Sequence, residues 1–530
     1  MKFIRKKNSN GLRETSATQH IFFERAKAIA LGAMCLAIFT VNLDGAVVDL
    51  ALPQIQTSLG ATMLGLQWIL NAYMLPIASL LLASGTLGDI YGRKRVLAVG
   101  LAMFTLASIL CGLAPNLIIL IIGRSLQGIG AAAIIALSLT ILSDTFPDTH
   151  VKTQAIGIWS AVSALALVAG PIVGGLLIDW LGWRSMFFLN VPFGAIAYQI
   201  TLSLMEPHNP NPSQKQPIDW SGLVFSAIFL ASLTYALTEG SGGSLSPQVL
   251  SLLGVAALSF IAFLIVELKS ISPMIPLNLW NLPFATINLI PILIFFTFSS
   301  LVFLFSLFLQ QVQGYSATAV GAFFLPMNGA AILASLVCGW FVARFGWRFP
   351  VILGLVLASI ATFSLIQVNT NTAYGEIVLG LIGCGFGGGL TIAPLAGAVI
   401  NFVPSSQEGI ASAILNIGIN LGGVLGIALQ GAILTQSLTF QLTRSLSDWN
   451  LTSNLEQKLI TDALHNSTNV PSDLPVGISA SVWHSLFNEA FISGLHTAVL
   501  IASVALLTGA LLIVVFVPQS FKIRTGHSQK

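Results

Sequence analysis

Charge is the scarcest commodity in this sequence. Only 8% of its 530 residues are Asp, Glu, Lys or Arg, where an ordinary globular domain carries roughly 25%. At 55% hydrophobic residues and a mean hydropathy of +0.88, there is more apolar surface than a soluble core can hide. The chain therefore reads as an all-α integral membrane protein that crosses the bilayer many times. Cysteine is nearly absent. Cys35, Cys111, Cys338 and Cys384 all lie in apolar runs with no CxxC pair, which argues against a disulfide framework and against a metal site. No GxxxxGK[ST] loop or GxGxxG-led βαβ unit occurs, so ATP is not the direct energy source within this chain. No cofactor is expected, and an ion gradient must drive whatever the protein does. The net charge of +3 is too small and too dispersed for a nucleic-acid footprint. No His or acid cluster gathers in the apolar runs beyond His496, so little supports a membrane enzyme or sensor.

What is present is about fourteen apolar runs long enough to span a bilayer, the first near 27–50, the thirteenth near 408–436 and the last near 490–517. An even number puts both termini on one side. That side collects eighteen Lys and Arg against three on the other (Arg184, Arg444 and Lys458), with Arg124 inside a span. By the positive-inside rule both termini are cytoplasmic. The basic start MKFIRKKNSNGLRE leads into a run too long for a signal-peptide core, so the first span is read as an anchor. The expected division is a cytoplasmic segment 1–26, a six-helix bundle 27–205, a linker 206–283 with two extra spans, a second six-helix bundle 284–517 carrying an extracytoplasmic loop 437–489, and a tail 518–530. That loop is long enough for a hairpin or an amphipathic cap, and its NLT and NST triplets at Asn450 and Asn466 are sequons only in a glycosylating host.

The stretch Arg25–Pro53 is apolar enough to cross the membrane yet holds two acids, Asp44 and Asp49. An acid at the bilayer centre costs a few kcal/mol even on insertion scales, roughly 2.5–3.5, and normally faces a water-filled cavity with a task there. With the first span ending at Pro53, Asp44 lies about 13 Å inward, and Arg124 lies about 13 Å inward from Asn116 in the fourth span. Their equal depth suggests that Arg124 faces the cavity and is neutralised by Asp44 or Asn42; the competing reading is a purely structural staple. Asp49, five residues on, points some 140° away from Asp44 and sits near the outer end, which suggests a solvated mouth. In the second span Asn71 and Tyr73 are expected to line the cavity.

The segment Gly85–Leu97 reads GTLGDIYGRKRVL. Gly85, Gly88 and Gly92 permit close approach and a tight turn, Asp89 is an anion at the membrane edge, and Arg93 heads a basic run. This segment resembles the signature loop GxLaDrxGrkxxl of the major facilitator superfamily, and LIIGRSLQGIGAA around Arg124 resembles that family's lxxxRxxqGxgaa. The resemblance implies that Asp89 meets the N-terminus of a late helix, for which Ser405, Ser406 and Glu408 supply a capping-box start. In the fifth span Ala166, Gly170, Pro171, Gly174 and Gly175 form a small-residue face similar to the antiporter motif of the exporting branches. WRSMFFLNVPFG, from Trp183 to Gly194, resembles the hallmark of the 14-helix drug:H⁺ antiporter family, as does the first span in part, with Ala46 and Asp49 replacing the usual Thr and Asn. Gly339–Arg348 repeats Gly85–Lys94 weakly, with Ala343 where Asp89 would align, as in transporters built from repeated halves.

The implied protein is a proton-coupled exporter of lipophilic neutral or monocationic compounds, with major facilitator fold (6 + 2 + 6 helices), residing in the plasma (inner) membrane. Its partners would be a small lipophilic substrate, protons and the bilayer, and it would work as a monomer, alone or with an accessory envelope protein. One charge moved through 100 mV is worth about 2.3 kcal/mol, roughly fifty-fold in accumulation. A dedicated exporter of an endogenous metabolite or siderophore would carry the same coupling machinery.

Overall fold

The computed structural model describes residues 5–146, 148–204, 219–239, 246–270, 281–403, 408–447, 449, 451–465, 474 and 478–518, and among them the secondary structure is helical throughout. Sixteen α-helices follow in order: α1 (Arg5–Leu59), α2 (Met63–Tyr91), α3 (Arg93–Gly112), α4 (Leu117–Thr145), α5 (Thr149–Leu181), α6 (Arg184–Leu204), α7 (Trp220–Glu239), α8 (Pro247–Lys269), α9 (Leu282–Leu307), α10 (Ala317–Phe323), α11 (Leu325–Phe345), α12 (Arg348–Ser364), α13 (Tyr374–Asn401), α14 (Glu408–Ser447), α15 (Ser453–His465) and α16 (Ala480–Phe516). Fourteen spans are long and apolar enough to cross a membrane, α10 and α11 forming one between them and α15 forming none.

Local chemistry sets the boundaries. Thr62, Asn116, Ser246, Asn281 and Ser479 each place a side-chain oxygen on a free N–H of the first turn of α2, α4, α8, α9 and α16, a contact worth about 1 kcal/mol. Gly92, between α2 and α3, has φ 96°, a conformation in which a Cβ would be strained. Prolines interrupt α1, α2, α5, α6, α9 and α13, which a bundle tolerates because neighbouring groups can satisfy the released carbonyl. The expectation that the first span ends at Pro53 is not met: α1 runs on to Leu59. Ile55 is fully buried there, and Gln56 donates to the carbonyl of Leu464.

The two halves pack differently at the two faces. We call the side holding the start of α1 and the end of α16 the terminal face, and the opposite side the distal face. Near the distal face one hydrophobic core runs through both halves, with Leu52, Ile55, Leu66 and Phe187 of the first against Phe305, Phe308, Trp483 and Phe491 of the second. Toward the terminal face the core splits. Met34, Leu101, Phe104 and Ile134 form one cluster within the first half, and Phe284, Leu355, Leu395 and Ile513 form another within the second. Of the extra pair, α7 lies against α2 and α14, where Trp68 meets Tyr235 at 5.5 Å, and α8 packs on α7.

Helices that touch through glycine hold the second half together. Gly418, Gly422 and Gly426 set α14 directly against the backbone of α9 at Asn288, Ile292 and Phe296, as small-residue spacing allows. α14 (40 residues) and α16 (37 residues) are longer than the roughly 20 residues a span needs, and at the distal face α15 follows α14 as a cap whose Leu459 and Ala463 join the shared core. The loop expected at 437–489 is thus largely helical. Asn450 and Asn466 lie outside the described residues, as do Ser405 and Ser406.

Candidate functional site

A cavity of about 220 Å³ lies between the halves, walled by α1, α2, α4, α5, α9, α11 and α14. Its lining is mostly apolar, with Tyr73, Phe295, Phe298 and Phe324 among the rings. Polar groups are few: Asn42, Asp49, Ser299, Asn328 and Asn420. Apolar walls with sparse polar groups are usual for small-molecule sites.

Beside this cavity sits a buried ion pair. Arg124 on α4 donates through Nη1 to Oδ2 of Asp44 on α1 at 2.5 Å, and the two side chains are 1% and 2% exposed. Removing two charges from water is costly unless further hydrogen bonds satisfy the remaining donors and acceptors, and several do here. Arg124 Nε donates to the carbonyl of Ile69 at 3.2 Å and Nη1 also to Gln127 Oε1 at 3.0 Å. The other Asp44 oxygen accepts from Asn190 Nδ2 at 2.7 Å and from Gln127 Nε2 at 3.3 Å, and Gln127 passes on to Ser108 at 2.6 Å. The guanidinium carbon stands 4.2 Å from the Tyr73 ring centroid, where a ring face attracts a cation.

This arrangement departs from the expected one in several places. The pair forms, but neither Asp44 nor Arg124 lines the cavity; Tyr73, which does, stands against the guanidinium and screens it. Asn42 lines the cavity and donates to Ser163 at 2.6 Å, not to the pair. Asn71 is fully buried away from the cavity, and neither of its amide atoms has a hydrogen-bond partner among the described residues. Asp49 is in the cavity wall and not at a solvated mouth, because α1 continues for ten residues beyond it. Gln127 and Asn190 were not singled out from sequence, although both stand in the motif segments around Arg124 and Trp183.

At the terminal end of α2, Asp89 accepts from Arg93 Nε at 3.0 Å and Nη2 at 2.8 Å, and Arg93 also reaches Asp144 of α4. Gly88 is pressed against Leu137 and gives the close approach expected of it, whereas Gly85 has open space around it. On α5, Ala166 is fully buried, Gly170 meets Ala46, Gly174 meets Val47, and Gly175 meets the backbone of Ala317 and Thr318. The carbonyl of Pro171 abuts Gly321. The small-residue face therefore seats α5 against both α1 and α10.

Hydrogen bonds between the halves gather on the distal side. Ser306 donates to the carbonyl of Asp49 at 2.7 Å, Gln310 to that of Leu50 at 3.1 Å, and Gln311 to Gln56 at 2.7 Å. The largest such contact was not read from the sequence: Asp179, at the end of α5, accepts from the N–H groups of Ala317 and Thr318 at 3.1 and 2.9 Å and from the Thr318 hydroxyl at 2.5 Å. It closes the distal face across the two halves. Bonds to a charged acceptor are worth roughly 1.5–3 kcal/mol each when shielded and less when exposed. Asp179→Ala is thus expected to lower the ratio of distally closed to distally open molecules at least ten-fold, or about 1.4 kcal/mol. Pulsed EPR distances between labels at Leu181→Cys and Tyr315→Cys read that ratio, and an unchanged distribution would count against the latch.

Among the described residues no group of three or more His, Cys, Asp or Glu is placed to hold a metal ion. The family model "Major Facilitator Superfamily" matches residues 34–427. The multidrug resistance protein Stp of Mycobacterium tuberculosis (strain CDC 1551 / Oshkosh) is 33% identical, over 91% of this chain and 90% of its own. The tetracenomycin C resistance and export protein of Streptomyces glaucescens is 29% identical over 91% and 89%, and the methylenomycin A resistance protein of Bacillus subtilis 30% over 82% and 92%. Among solved structures, a bacterial homologue of the human lysosomal transporter Spinster, described as inward-facing and unoccupied, superposes with a TM-score of 0.62 at 17% identity, covering 92% of this chain and 98% of that one. A D-xylose-proton symporter gives 0.58 at 14% identity, covering 92% and 98%. The fold, the matched model and the full-length relatives agree: this fourteen-span chain belongs to the Major Facilitator Superfamily, a family of secondary transporters and not of enzymes.

Proposed function

We propose that this protein is a proton-coupled exporter that expels lipophilic compounds by alternating access, with the Asp44–Arg124 pair as its coupling centre. The observation that carries this is a carboxyl–guanidinium pair, sealed from water within the first half and separated from the cavity by one aromatic ring. Protonating Asp44 in this conformation would leave a buried guanidinium uncompensated, a change that costs roughly 3–5 kcal/mol. Proton occupancy and this packing are therefore mutually exclusive, which is the linkage an antiporter needs. The conformation, closed at the distal face, is the one reached after the proton has left and before cargo binds from the terminal face. With that face assigned to the cytoplasm from its excess of Lys and Arg, protons entering drive cargo out across the plasma membrane.

The cargo class draws on the Stp relative's name, multidrug resistance, and on a cavity whose few polar groups could fix many apolar shapes. The relatives named for tetracenomycin C and methylenomycin A favour a second reading, export of one dedicated compound. The test is uptake into everted vesicles. A panel of lipophilic dyes and antibiotics should accumulate when the interior is acidified and escape when a protonophore is added; several unrelated substrates indicate a multidrug pump, one indicates a dedicated exporter, and accumulation indifferent to the protonophore would end the proton-coupled reading.

A further inference from the structure

Asp49 has no part in the coupling network. It lines the cavity, and its Oδ1 is buried without a hydrogen-bond partner. Its backbone carbonyl accepts from Ser306, so α1 is anchored at this position. A carboxylate enclosed by apolar walls is destabilised by several kcal/mol unless something neutralises it. No Lys, Arg or His lines the cavity, and Arg124, behind Tyr73, is hydrogen-bonded to Asp44 and not to Asp49. A negative site is left open at the centre of the pathway.

We propose that Asp49 is an anionic subsite that makes an apolar organic cation of single charge the preferred cargo of this cavity. The inference rests on the exporter reading and narrows its substrate class. The rings of Phe295, Phe298 and Tyr73 offer the apolar body contact area and the charge a π-face, while Asn328 and Asn420 face the same space with neutral amides. A neutral cargo gains nothing from Asp49. A dication keeps one uncompensated charge in a cavity that holds a single acid, and an anion meets an unpaired carboxylate.

The experiment compares benzyltrimethylammonium with its uncharged carbon isostere, neopentylbenzene, as ligands of the full-length protein in nanodiscs, with no gradient imposed and empty discs as blank. The wild-type protein should bind the cation at least ten-fold more tightly. Asp49→Asn should lose that preference and bind the isostere unchanged, and Asp49→Glu should retain it. If Asp49→Asn does not yield a monodisperse protein, Asn328→Lys serves instead, since a cation across the same cavity should abolish binding of the ammonium ion and spare the isostere. Equal affinity of the two ligands for the wild-type protein, or a preference that survives Asp49→Asn, would overturn the subsite. Failure of the exporter reading would look different: binding that depends on Asp49, with no gradient-driven accumulation of the same cation in everted vesicles.

Discussion

Asp44→Asn is expected to abolish proton-driven export, with no accumulation of cargo above the passive level in everted vesicles at any interior pH. Asn cannot release a proton, and it leaves Arg124, 1% exposed, with a neutral partner. The same change should also destabilise the fold by roughly 3–5 kcal/mol, the typical cost of breaking a buried pair from one side. Loss of transport alone is therefore ambiguous between coupling and mere stapling. The double variant Asp44→Asn/Arg124→Gln separates them. Removing both charges should restore most of the thermal stability, because replacing a whole buried pair by neutral groups is often nearly neutral, while transport stays absent. Proton-dependent export by the double variant would reduce the pair to a staple.

Gly422→Leu should give a large loss of stability by a different route. A Cβ at Gly422 would lie 2.9 Å from Cα of Ile292 and closer still to its carbonyl oxygen, and backbone, unlike a flexible side chain, cannot turn aside. Overpacking commonly costs about 1–3 kcal/mol, and here α9 and α14 must also separate along the row that includes Gly418 and Gly426. The expected result is loss of the monodisperse peak in fluorescence-detected size-exclusion chromatography. Gly85→Ala is the control, since nothing lies within 4 Å of a Cβ there, and it should behave as wild type. A well-folded Gly422→Leu protein would mean that the two helices do not need to touch.

These contrasts mark where sequence reading succeeds and where it stops. Span number and order were legible because twenty apolar residues in a row have few other uses. The Asp44–Arg124 pairing was legible because a buried arginine needs an acid and the first span carries only two, although the depth count that matched them started at Pro53, six residues short of the end of α1. The facing of the pair was not: whether an arginine points to the cavity or into its own half depends on how α1, α2, α4 and α6 rotate about their axes, and Tyr73 takes the cavity side. The place of Asp49 was misjudged for a simpler reason. Pro53 looks like a helix end, yet α1 passes through it, and the extra six residues carry Asp49 about 9 Å farther from the distal end than the shorter helix would. Gly88 and Gly85 read alike in the loop motif, but only Gly88 has a neighbour to accommodate.

The cap formed by the overhanging ends of α14 and α16 with α15 is attached to the first half through α1, where Gln56 meets Leu464 and Gln311. That attachment must loosen each time the distal face opens, so the cap is carried through every cycle as a lever. A binder raised against the α1–α15 seam, far too large to enter the membrane, would arrest the pump by clamping that lever, and inhibition would then need no competition with cargo at all.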